Sequence, residues 1–149
     1  MNLTLLSSGM KTSSFPGRYD SLARVSEFVV EAAKDAGLSS EEVYSVELAV
    51  DEACCNIIDH AYGGEGIGEL KCSVIVDEGK LTVILSDRGR SFDPKTIPDP
   101  KLNVPIEKLK PRGVGLYLMR KLMDEIKYEA IPHRGNVLTM VKRKRKDAA

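Results

Sequence analysis

From Leu22 onward, apolar residues return at every third or fourth position: Leu22, Val25, Phe28, Val29, Ala32 and Ala36. That spacing predicts a helix with one buried face, and Gly37 stands where such a helix ends. Ser39, three residues before Glu42, forms a capping box that starts a second helix. Val43, Val46, Val50, Ala53 and Ile57 give its buried stripe, and it is expected to run to about Tyr62. Gly63, Gly64, Gly66 and Gly68 then make an exit loop. The pattern changes at 70–76 and 81–86, where β-branched residues dominate and Asp77-Glu78-Gly79-Lys80 predicts a hairpin turn between them. A third helix opens at Arg112-Gly113-Val114-Gly115, with Leu116, Met119, Leu122 and Met123 as its apolar face. A last hairpin is expected over 126–131 and 137–141, turning near His133-Arg134-Gly135-Asn136. Short strands at 3–6 and 10–14 complete the set. Between the second strand of the first hairpin and the third helix lies 91–112, with Pro94, Pro98, Pro100, Pro105 and Pro111. An irregular stretch of that length inside a compact domain is read as a lid.

Helices set apart from hairpins imply an α+β fold. The expected architecture is a two-layer sandwich, with helices on one face of a mixed, mostly antiparallel sheet. The 149 residues fit one domain spanning 1–149, ending in a solvated basic tail from about 142 to 149. Twenty-two Lys+Arg balance 22 Asp+Glu, which argues against direct nucleic-acid binding. No apolar run approaches the length needed to cross a bilayer, and the N-terminal stretch has no basic head of a signal peptide. Three cysteines, Cys54, Cys55 and Cys72, are an odd count without a secretion signal, so reduced, buried thiols in a cytoplasmic protein are expected.

Three segments carry residues suited to chemistry. Glu52 and Asn56 are four apart and share one face of the second helix, flanking the apolar stripe. An asparagine oxygen suits a hard cation such as Mg²⁺, and a glutamate can take a proton from a water or hydroxyl. The same pair also fits a polar helix rim with no function. Asp87 closes a strand and Gly89 follows, an arrangement that can receive an exocyclic amine but also fits a simple turn. Gly113 and Gly115 at a helix start can present backbone N–H groups to phosphate. The dinucleotide-binding and P-loop fingerprints are both absent.

The order of these segments resembles the nucleotide pocket of the GHKL ATPase superfamily, the Bergerat fold. The stretches 47–62, 87–94 and 112–116 are most similar to the small anti-sigma-factor serine-protein kinases of the RsbW type, and the specific part runs from Glu47 to Tyr62: Glu47-Leu48-Ala49-Val50-Asp51-Glu52-Ala53-Cys54, then Asn56, Ile58 and His60-Ala61-Tyr62. The resemblance implies an ATP-dependent protein serine/threonine kinase with ATP and Mg²⁺ as cofactors. By it, Asn56 would hold Mg²⁺ on the phosphates, and Glu52 would be the base toward the acceptor hydroxyl. Asp87 would take the adenine amino group, with Gly89 in the floor beside it. The run Gly113, Val114, Gly115 and Leu116 would line the phosphates at the third helix, Arg112 would stabilise the γ-phosphate, and Thr139 would contact adenine. Ser91 stands where the family often has a second glycine after Asp87. The implied partners are a small STAS-type antagonist protein and a sigma factor, with the chain as a homodimer. The alternative is a nucleotide-binding regulatory module without phosphotransfer.

Overall fold

The computed structural model describes residues 9–91 and 111–145, with backbone alone at 111–114. The expected strand at 3–6 and nearly all of the expected lid lie outside the described residues. The elements in chain order are β1 (Met10–Pro16), α1 (Leu22–Asp35), α2 (Ser40–Asn56), β2 (Glu69–Asp77), β3 (Lys80–Asp87), α3 (Pro111–Leu122), β4 (Glu125–Ile131) and β5 (Gly135–Arg143). The strands form one sheet in the order β1-β2-β3-β5-β4. Every pairing among the described residues is antiparallel, in keeping with the mostly antiparallel sheet of the expected two-layer sandwich. Chain neighbours β1, β2 and β3 meander. The chain then leaves through α3 and returns so that β5 inserts between β3 and β4.

The helices cover one face. Period-two alternation sends Leu70, Cys72 and Val74 of β2, Leu81, Val83 and Leu85 of β3, and Leu138 and Met140 of β5 toward them. Against these sit Val25, Val29, Ala32 and Ala33 of α1, Val46, Ala49, Val50 and Ala53 of α2, and Leu116 and Met119 of α3. Phe15 docks β1 on α1 through an edge contact with Phe28, ring centroids 6.1 Å apart. Removing a side chain such as Leu85, wholly shielded from solvent, costs about 2–5 kcal/mol in comparable cores.

Local signals account for most boundaries. The capping box is real: the Glu42 backbone N–H donates to Ser39 Oγ, and the Ser39 N–H donates to Glu42 Oε1. Glu42 is buried because its other oxygen accepts the Arg145 N–H at 2.7 Å, tying the chain beyond β5 to the start of α2. Lys142 and Arg143, expected as the start of the basic tail, belong to β5. The second helix departs from expectation at its end. The regular helix stops at Asn56, and Ile57–Ala61 form a wider π turn in which the Tyr62 N–H reaches Ile57 O. That widening delivers Ala61 to the loop after β3, where its carbonyl accepts the Arg90 N–H at 2.7 Å.

Candidate active site

The phase of α2, set by its cap, puts Val46, Val50 and Ala53 in the core and leaves Glu52 exposed and Asn56 half-buried on the flank. α3 passes directly beside both. A β-carbon built on Gly115 would stand 3.3 Å from Glu52 Oε2 and 3.6 Å from Asn56 Nδ2. Glycine therefore lets the α3 backbone approach the carboxylate and carboxamide together. The first turn of α3 has N–H groups with no partner inside the helix, which favours anions there.

Asp87 is the next inward position after Leu81, Val83 and Leu85, so strand alternation carries its carboxylate into the interior. A buried carboxylate requires hydrogen bonds. Asp87 Oδ1 accepts the Gly89 backbone N–H at 2.8 Å and an Asn136 Nδ2 hydrogen at 2.9 Å. Asn136 sits opposite Asp87 in the β3–β5 register. It also donates toward Gly89 O and Arg90 O, and its Oδ1 accepts the Ser91 hydroxyl at 2.5 Å. A β-carbon on Gly89 would fall 2.4 Å from the Ala61 carbonyl, so this turn closes only with glycine. Tyr62 holds the same loop from outside, accepting the Arg88 N–H and donating to Glu69 O. Burial and the neighbouring Asp87 charge push the Tyr62 hydroxyl up, against the Arg88 N–H, which keeps it a neutral donor.

Asn56 and Asp87 both line one cavity whose walls are largely apolar: Ile57, Leu116, Met119 and Leu138 among them. An apolar cleft with few polar side chains is the usual form of a small-ligand site. Of the residues singled out from sequence, Asn56, Asp87 and Leu116 line it, Gly115 and Glu52 adjoin Asn56, and Gly89 supports Asp87. Thr139 does not belong with them. Leu138 and Met140 face the helices, so Thr139, between them, faces the other side of the sheet, paired with Ile84 and Lys127. The side chains of Arg112 and Val114 lie outside the described residues, as does Gly113 beyond its place in the first turn of α3. Asn136 was missed from sequence because it follows a glycine in what reads as a turn. Its signal was its place directly after Gly135 on the strand that returns beside Asp87. Cys54 and Cys72 are buried as expected, and burial pushes both thiols up, Cys72 to about 12.

This arrangement has counterparts in known proteins. Residues 15–142 match the family model of the histidine kinase-like ATPase domain. The chain is 31% identical over 115 residues to the serine-protein kinase RsbW of Bacillus cereus, covering 74% of this chain and 71% of that one. It is 37% identical over 113 residues to the serine-protein kinase RsbW of Listeria monocytogenes, covering 73% and 71%. Its fold matches the crystal structure of the RsbU and RsbW domains of Rv1364c from Mycobacterium tuberculosis with a TM-score of 0.65 at 15% identity, over 93% of this chain and 33% of that one. The catalytic domain of the histidine kinase ThkA aligns with a TM-score of 0.54 at 15% identity, over 92% and 99%. With its motif helix, its buried strand-end aspartate and its glycine-led third helix in these positions, the chain belongs to the histidine kinase-like ATPase domain family, among the RsbW serine-protein kinases.

Proposed function

We propose that this protein transfers the γ-phosphoryl group of Mg-ATP to a serine or threonine of a small STAS-type antagonist protein, and that it also sequesters a sigma factor. The observation that carries this reading is the single cavity shared by Asn56 and Asp87, with Glu52 and Gly115 beside Asn56. Asp87 takes the adenine amino group, its carboxylate preset by Gly89 and Asn136. The Asn56 carboxamide and the start of α3 face the phosphates.

The residues present fit Mg²⁺ of a particular kind. Asn56 offers a neutral oxygen donor, and the described residues hold no cluster of three or more His, Cys, Asp or Glu that could cage a metal alone. Asn56 would therefore hold the ion in company with the nucleotide's own oxygens. When bound, Mg²⁺ supplies neutralisation of the triphosphate charge. In the transfer, the acceptor oxygen bonds to the γ-phosphorus and the bond to the β–γ bridging oxygen breaks. ADP leaves, and the hydroxyl proton passes to Glu52, whose exposed carboxylate is open to an incoming protein. No helix among the described residues is long and apolar enough to cross a membrane, which accords with action in the cytoplasm. A homodimer is part of the same reading.

Two measurements test it. Mg-ATP at 100 times its Kd should stabilise the protein by about 2.7 kcal/mol in thermal unfolding. Incubation with labelled ATP and an antagonist protein should leave acid-stable phosphate on that protein. Stabilisation without transfer would leave a nucleotide-binding regulatory module. No stabilisation at millimolar Mg-ATP would overturn every nucleotide reading.

A further inference from the structure

The exposed face of α2 differs from that of its neighbour. α1 turns Arg24, Glu27, Glu31 and Lys34 to solvent and no large apolar side chain. α2 turns out Tyr44, 61% exposed, and Leu48, 37% exposed. Among the described residues, these are the only two exposed large apolar side chains that share one element. Their spacing has a direction. Tyr44, Leu48, Glu52 and Asn56 follow one another at intervals of four, which stacks them as one ridge on a helix. The ridge therefore leads from two exposed apolar groups to the carboxylate and carboxamide beside Gly115. Its charge is one-sided. Glu41, Glu47, Asp51 and Glu52 are the exposed or half-exposed carboxylates of α2, the helix contains no Lys or Arg, and none of the four is in an ion pair among the described residues.

We infer that the Tyr44–Leu48 ridge is the docking surface for the phosphate-accepting protein. The inference rests on the kinase reading above and names what brings the acceptor to the site. The occupant is a protein segment with an apolar anchor against Tyr44 and Leu48, Lys or Arg facing the carboxylates, and its serine or threonine at Glu52. Eight residues of helix separate Tyr44 from Glu52, about 12 Å. An extended segment covers that span in about four residues, which sets the offset between the anchor and the acceptor hydroxyl. Continuity with the transfer site and the lack of any cation on the ridge select this occupant. Nucleic acid would be repelled by the same carboxylates.

The test uses the whole chain and, as probe, a recombinant small STAS-type protein that wild type phosphorylates. In Tyr44→Ala/Leu48→Ala, the KM for the probe should rise about tenfold or more, as expected for removing two apolar anchors. The kcat and the Mg-ATP thermal shift should stay at wild-type values, and the unchanged shift also certifies the fold. Tyr44→Phe should keep the wild-type KM, and added salt should raise KM for wild type. An unchanged KM in the double variant would overturn the inference while leaving the kinase reading intact. So would a weakened Mg-ATP shift, which would assign the ridge to the cavity, or a loss of self-association alone, which would assign it to a second copy. Failure of wild type to phosphorylate any such protein would remove the kinase reading first and the ridge with it.

Discussion

The cavity has two polar regions built in opposite ways. At Asp87 the contacts among the described residues are internal: the buried carboxylate accepts from the Gly89 N–H and the Asn136 side chain, which in turn holds the Ser91 hydroxyl, and β3–β5 pairing and Ala61 against Gly89 lock the group. At Glu52 and Asn56 the side chains lie on a helix flank, exposed or half-buried, next to a glycine that keeps the space clear. Under the proposed function, the difference follows from what each region would have to meet. An adenine ring is always the same, so its recognition at Asp87 could be set by strand register before the ligand arrives. The region proposed for the phosphates would have to admit a triphosphate, a cation and a second protein, which suits groups open to solvent.

If the two regions divide the work in this way, substitutions should separate them cleanly. The largest effect is expected from Glu52→Ala. Transfer should fall about 10²–10⁴-fold, the usual share of a general base, while the Mg-ATP thermal shift remains. Equal transfer by wild type and variant would end the role of Glu52. Asp87→Ala should do the reverse, removing the Mg-ATP shift and the preference for ATP over GTP in calorimetry. It also leaves the Gly89 N–H without its acceptor and removes one of the acceptors of the Asn136 amide, so stability should drop by about 1–3 kcal/mol in urea unfolding. Gly89→Ala should damage the same region through sterics alone. Its β-carbon meets Ala61 backbone at 2.4 Å, and a loss of about 1–3 kcal/mol is expected, with Mg-ATP affinity falling in step. Wild-type behaviour of this variant would show that the turn has more room than its packing implies.

The smallest effect lies outside both regions and serves as their control. Burial acts to raise the Glu42 pKa, but the Ser39 and Arg145 N–H groups, the Ser39 hydroxyl and Lys142 outweigh it, and the carboxyl is held below its ordinary value. A lowered folded pKa contributes stability above the unfolded value of about 4.3, and that contribution is lost as pH falls through the folded value. Glu42→Ala should therefore cost about 1–2 kcal/mol near neutral pH, and its gap from wild type should narrow below about pH 4. Nucleotide affinity should not change.

The sequence made the helices and hairpins legible because their periods differ and their caps are explicit. Ser39 and Glu42 start α2 as written, and Gly37 ends α1 with φ at +81°. Glu52, Asn56, Asp87 and Gly115 were legible because motif spacing along one helix or at one strand end is local. What was lost depends on register between distant strands. Asn136 reads as part of a turn until β5 is laid against β3, where it faces Asp87. Thr139 is polar and follows the same glycine, but one step of strand parity puts it on the far face. The π turn at Ile57–Ala61 escaped because, over five residues, its period differs too little from that of a regular helix.

The central claim is that Asn56 and Asp87 serve one nucleotide. The most direct measurement is a crystal structure with Mg²⁺ and a non-hydrolysable ATP analogue. The account predicts the adenine amino group within hydrogen-bond distance of the Asp87 carboxylate, and the triphosphate with its cation beside Asn56 and the start of α3. A nucleotide bound elsewhere, or one that contacts Asp87 while its phosphates turn away from Asn56, would contradict it.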